Sequence, residues 1–210
     1  ECVMKKLIVA LSVIIIILAT FIIANIGDQI PKGWFAAGSN PSEYEMGIDN
    51  SNFENGHSCA YIKSKTPKEN EFGTLMQTIS AENYLGKRLQ FSGYVKSESV
   101  NGWSGMWMRI DGENNQQLGF DNMRDRTIKG TTDWKKYEIV LDIPTNSKTI
   151  NYGVLLGGNG KVWFDNFKLD EVDKSVQVTN LIKENKFSSQ PINLDFEEKS
   201  SAEDLRMYDS

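Results

Sequence analysis

The chain has 210 residues, with 23 Lys and Arg against 28 Asp and Glu and a single His, for a net charge of −5. A balance that acidic speaks against a nucleic-acid partner, since phosphate-backbone binding depends on Lys and Arg neutralising phosphates. Two cysteines are too few for a disulfide-stapled scaffold, so the chain must bury a core of its own.

In chain order, Lys5 and Lys6 come first, followed by LIVALSVIIIILATFIIANI at residues 7–26, a run without charge. At roughly 1.5 Å of rise per residue it is just long enough to cross a hydrocarbon core of about 30 Å. The run exceeds the apolar region of about 7 to 15 residues found in cleaved signal peptides, and bulky residues stand where a small-x-small cleavage signal would lie. The expectation is a signal-anchor. Residues 1–6 would be cytoplasmic, 7–26 a transmembrane helix and 27–33 a linker, which puts the rest outside a bacterial cell membrane by the positive-inside tendency. Cys2 and Cys59 would then lie on opposite sides of the membrane, leaving Cys59 a lone apolar thiol.

Residues 34–172 carry short runs of alternating apolar and polar residues at 59–64, 73–80, 88–97, 105–111, 117–122, 136–143, 149–156 and 161–172. Such alternation is the period of a half-buried strand. Asn55-Gly56, Asn101-Gly102 and Asn159-Gly160 supply residues that tolerate positive φ at turns. A helical turn is expected only at 81–86. About eight strands at this spacing predict an all-β jelly-roll sandwich. Beyond it come a polar connecting segment at 173–191, one more alternating strand at 192–198 that would complete the sandwich, and a charged tail at 199–210.

Several strings then join up: FGTLMQ at 72–77, YLGKR at 84–88, GMWMRIDG at 105–112, FDNMRDR at 120–126, GTTDW at 130–134 and GKVWFDNF at 160–167. Together they resemble a bacterial jelly-roll module of galactose-binding-like, carbohydrate-binding-module-like type. Such modules occur alone, behind AraC-type regulator domains and beside erythromycin-esterase-like domains. The resemblance implies the fold, over about residues 32–172. It also implies that the string NLDFE, here at 193–197, opens the first strand of related modules, which is why a late strand is expected to fill that place.

Alternation assigns Met106, Met108, Ile110, Leu118 and Phe120 to a core face, and Trp107, Arg109, Asp111 and Asp121 to the opposite one. The second set suits a sugar, because rings cover apolar sugar faces while carboxylates and guanidinium hold hydroxyls. The bland alternative is an Arg109–Asp121 ion pair beneath Trp107. Trp103, after Asn101-Gly102, reads as an exposed platform, whereas Trp134 and Trp163 begin strands and read as plugs. Gln77 and Tyr94 complete the candidate ligand set of Trp103, Trp107, Arg109 and Asp121.

His57 beside Cys59 lacks a third orienting group, and the Gly-x-Ser-x-Gly elbow is absent, so no catalytic residue and no enzyme activity is expected. Gly157-Gly158-Asn159-Gly160-Lys161 lacks the ending of a phosphate loop and reads as a hairpin turn. No cofactor is expected beyond a candidate structural Ca²⁺ held by Asp165 and Glu197 if the late strand pairs beside the last one. The expected function is a membrane-anchored, extracytoplasmic, non-enzymatic module for carbohydrate or cell-wall glycan. The alternative is a sensory or protein-interaction domain signalling through the anchor.

Overall fold

The computed structural model describes residues 30–67 and 70–180. The expected anchor at 7–26 and the expected late strand at 192–198 both lie outside the described residues. Among the described residues no helix is long and apolar enough to cross a membrane.

Nine strands carry the fold: β1 (Phe35–Gly38), β2 (Tyr44–Asp49), β3 (Cys59–Ser64), β4 (Phe72–Ser80), β5 (Arg88–Asp111), β6 (Gln117–Asp121), β7 (Ile128–Asp142), β8 (Thr149–Gly157) and β9 (Lys161–Val172). Every pairing among them is antiparallel. The all-β expectation holds, and the runs at 59–64 and 161–172 match β3 and β9 residue for residue. The turn expected at 81–86 is a short 3-10 turn, Glu82–Tyr84.

Strand β5 decides the architecture. Its first half, Arg88 to Glu98, pairs with β7 on one side and β9 on the other, and β9 continues to β3 and β2. Its second half, Trp103 to Asp111, pairs with β8, while Met108 to Asp111 also pair with β6; β8 continues to β4 and β1. One long strand therefore serves two layers. Bulges near Val95, Ser97 and Val100 let it bend from the first to the second, as an extra residue twists and redirects a strand.

Asn101-Gly102, expected as a turn, lies inside β5. A Cβ on Gly102 would sit 2.2 Å from the Gly157 carbonyl oxygen, so the glycine serves a close approach of β8 rather than a reversal.

The core fills the space between the layers with Leu89, Phe91 and Val95 from the first half of β5 and Met106, Met108 and Ile110 from the second. Ile62, Leu75, Ile139, Leu141, Ile150 and Val154 pack with them, each essentially unexposed. Each such side chain contributes about 1.5–3 kcal/mol by leaving water. The layers touch closely where β4 crosses β2: a Cβ at Gly73 would lie 2.6 Å from the Tyr44 ring. On β8 the alternation divides two covered faces, with Ile150, Tyr152, Val154 and Leu156 in the core and Asn151, Gly153, Leu155 and Gly157 on the other side.

After β9 the chain turns back over β7. Arg88 donates to the carbonyls of Lys174 and Val176, and the Thr179 amide donates to Val140 O at 2.9 Å. Asp142 organises this return. Its carboxylate receives Arg88 Nε at 3.0 Å and Nη2 at 2.8 Å, and Lys174 Nζ at 2.6 Å. The Arg88 hydrogen bonds, aided by Lys174 and opposed by partial burial, hold the Asp142 carboxyl down to about 2.

A depressed folded pKa adds stability that is fully present above the unfolded value of about 3.9 and is lost as pH falls toward 2. Asp142→Asn is thus expected to melt lower than the parent at neutral pH, with the two melting curves converging between about pH 4 and 2. Thermal unfolding across that range checks it; a constant gap down to the lowest pH would show that Asp142 does not act through its charge.

Candidate functional site

The face of the second layer turned away from the core forms a groove of about 1020 Å³. Its lining comes from β1, β4, β8, β5 and β6 and from the loops at one end of these strands. Four inter-strand spacings of about 4.8 Å make such a floor roughly 19 Å wide.

Trp107, Leu155 and Thr74 form the floor, with exposures of 8%, 7% and 4%. The Trp107 indole N–H donates to Thr74 Oγ1 at 2.8 Å, and the Thr74 hydroxyl donates to Val154 O at 2.7 Å. That relay fixes the ring in its plane. Trp107 pairs with Gly153, where a Cβ would lie 2.3 Å from Leu75 O, so only glycine lets β4 and β8 approach beneath the ring.

Trp103 stands half-buried on the wall, opposite Gly157 and, one strand further, Phe72. Asn101 and Asn159 lie at the rim, with the Asn159 amide donating to Asn101 Oδ1 at 2.8 Å and the Asn101 amide to Asn159 O at 3.1 Å. Trp103, Trp107 and Arg109 are the ligand candidates from the sequence that share this groove.

The other three candidates are placed elsewhere. Arg109 pairs in register with Phe120, and Met108 with Asp121, so Phe120 faces the groove and Asp121 the interior, the reverse of the expected faces. Asp121 is fully buried. It receives Arg126 Nη2 at 2.6 Å and Nη1 at 3.2 Å, and the Met123 amide at 2.7 Å. These donors offset the cost of a buried carboxylate, which is why a charge can occupy a place that hydrophobicity would give to Phe120. The Arg109–Asp121 ion pair is accordingly absent. Arg109 instead meets Asp111 at 2.8 Å, and Asn151 Nδ2 donates to the same Asp111 oxygen at 2.8 Å.

Gln77 is tied down by Tyr152, whose hydroxyl donates to its Oε1, and by Gly33 O, which accepts from its Nε2 at 3.1 Å. It pairs with the core residue Tyr152 and belongs to the rear of the sheet. Tyr94 pairs with Lys136 and Asp165 in the first layer, away from the groove. Of the two tryptophans read as plugs, Trp163 is buried, with its N–H donating to Asp49 Oδ2 at 2.7 Å and Lys161 Nζ 4.4 Å from its ring centre.

Sequence reasoning missed Phe120, Phe72, Asn122, Arg124, Asn101 and Asn159 as groove residues. The Asx-type bond from the Met123 amide to Asp121 marks the end of β6 but not its faces, since half-buried Asn122 and exposed Asp173 make the same bond, so the string held no local signal for an outward Phe120.

Asp165 is engaged by main-chain donors: its Oδ2 accepts the amides of Glu54 and Asn55 at 3.1 and 3.2 Å, and its Oδ1 that of Asn166 at 2.7 Å. Glu197 lies outside the described residues, and among those described no three His, Cys, Asp or Glu gather in metal-binding fashion. Cys59 donates its thiol to Asn52 O from the buried start of β3. Burial first, then the nearby Asp49 and Asp165 charges, push that thiol up to about 12, the opposite of an activated nucleophile. His57 is exposed and sets its ring edge-on to Phe53.

No known family model matches the sequence. Among curated proteins, YbfP of Bacillus subtilis strain 168, an uncharacterized HTH-type transcriptional regulator, is 46% identical over 169 residues. That match takes in 80% of this chain, which spans 57% of the length of YbfP. Among solved structures, the CBM22-1 xylan-binding domain of Paenibacillus barcinonensis Xyn10C aligns at a TM-score of 0.50 and 14% identity, over 69% of this chain and 88% of that one. The enzymatically active domain of tailspike protein 4 of bacteriophage CBA120 aligns at 0.52 and 12%, over 67% of this chain and 20% of that one.

The chain is an all-β sandwich of the jelly-roll kind, a fold it shares with the CBM22-1 xylan-binding domain. At these identities the likeness is one of fold, and it agrees with the fold implied by the strings at 72–167. The regulator relative is the counterpart of the expected link to regulatory proteins. It also overturns the expected location. A relative that is a transcriptional regulator, 46% identical over 80% of this chain, is at odds with an extracytoplasmic location.

Proposed function

We propose that this chain provides a non-enzymatic saccharide-binding domain whose ligand lies in the groove over Trp107. The groove itself carries the reading: rings of Trp103, Trp107, Phe120 and Phe72 surround a cavity rimmed by the amides of Asn101, Asn122 and Asn159 and by Arg109. Aromatic faces match the C–H faces of pyranoses, and amides serve hydroxyls as both donors and acceptors. The shared fold with a xylan-binding domain supports the same reading. The regulator relative favours a sensory use, in which an occupied groove is the input to a partner or neighbouring domain.

Gly157 offers a clean test. The atoms nearest to a Cβ there belong to the Trp103 ring and main chain at 3.6–3.7 Å, ordinary contact distances, so Gly157→Val sets its methyl groups beside Trp103 on the groove side of β8. It is expected to weaken glycan binding at least tenfold, and Trp103→Ala about tenfold, with melting temperatures close to the parent. A glycan array followed by calorimetry reads both. Unchanged binding of every array hit by both variants would remove the groove as the site.

A further inference from the structure

The arginines of the described module are paired in all cases but one. Arg88 is held by Asp142, Arg109 by Asp111, and Arg126 by Asp121 and Asp125. Arg124 is exposed and lines the groove, and its guanidinium makes no hydrogen bond or ion pair among the described residues. In a chain of net charge −5, with Asp125 next to it already taken by Arg126, this guanidinium at the cavity is open to an anion from outside.

The loop that carries it is rigid. Asp121 accepts the Met123 amide at 2.7 Å, and Asn122 Oδ1 accepts the Arg124 amide at 3.2 Å. Met123 adopts a φ of 59° with its side chain fully buried in the core. The loop also sits against the aromatic wall: a Cβ on Gly105 would lie 2.9 Å from Asn122 O, 3.2 Å from Met123 Cβ and 3.6 Å from Trp103 Cζ3. A ring placed on Trp103 therefore has the main chain of Arg124 on its β6 side, fixed before any ligand arrives.

We propose that the groove takes an acidic saccharide, a uronate-bearing glycan, whose carboxylate is received by Arg124 while its sugar ring lies against Trp103. The inference rests on the groove being a saccharide site. Guanidinium presents a planar fork that matches a carboxylate with two parallel hydrogen bonds. A single free guanidinium suits one negative charge better than a phosphate carrying nearly two.

The test uses the full chain with two acidic probes, trigalacturonate and a glucuronate-bearing xylo-oligosaccharide, each against its carboxyl-reduced neutral counterpart. The parent is expected to prefer at least one acid over its reduced form by about tenfold at low salt, and less at high salt. Arg124→Gln should abolish that preference and leave the melting temperature unchanged, while Arg124→Lys keeps part of it. Equal affinity for acid and neutral forms, preference for the neutral forms, binding of neither, or a preference that survives in Arg124→Gln overturns the proposal. If Gly157→Val still abolishes binding of neutral glycans in that event, the saccharide groove stands without its acid specificity.

Discussion

Trp107→Ala is expected to lower the melting temperature by roughly 10 °C as well as to destroy the groove. The sequence placed Trp107 on a ligand face, where its loss would leave stability nearly unchanged. The structure gives it 8% exposure, a floor position across β5, β8 and β4, and a hydrogen bond to Thr74 at 2.8 Å. Truncating so large a buried side chain costs about 3–5 kcal/mol. For a domain of this size each kcal/mol moves the midpoint by about 2–4 °C. Trp107→Phe should recover most of the stability, since it keeps the packing and gives up one hydrogen bond worth about 1 kcal/mol. Thermal unfolding followed by circular dichroism measures both, and a Trp107→Ala protein melting like the parent would return Trp107 to the surface.

Asp121→Ala should cost about 3 kcal/mol. It leaves the Met123 amide without its acceptor and Arg126 without the partner that, against the cost of burial, raises its pKa. Arg126 is a third exposed, so water takes up part of the lost interaction, and the cost stays at the low end for a broken buried pair. The loop from Asn122 to Arg124 loses its anchor at the same time. Denaturant unfolding should therefore show reduced stability, and calorimetry should show weaker binding at temperatures where the variant is still folded. Arg126→Ala should follow the same pattern, and the double variant should cost less than the two single costs combined. Additive losses would mean that the two residues do not act as a pair.

These two residues also show where sequence reading succeeds and where it stops. For Met106 to Ile110, period-2 alternation placed each side chain on its correct face, because that segment is a regular strand between two strands. The rule failed at Phe120 and Asp121. Hydrophobicity put the ring inside, while the register with Met108 and Arg109 put it in the groove. A one-residue difference in pairing exchanges every face of a strand, and pairing is set by partners far along the chain. Asn101-Gly102 was misread for a related reason. A glycine that lets two strands approach and a glycine that turns the chain look alike in a local window.

The sequence by itself determined that the chain is all-β between about residues 59 and 172, where most of its strands lie and which residues of the central strand are core, because side-chain alternation and Gly or Asn punctuation are local properties of the backbone. Only the tertiary structure decided that β5 is one strand serving two layers, that Arg109 answers Asp111 and Arg126 answers Asp121, and that Trp103, Trp107, Phe120 and Arg124 line one groove. Gly153 and Trp107, forty-six positions apart, become neighbours through antiparallel pairing between distant segments, and no local period encodes which segments pair.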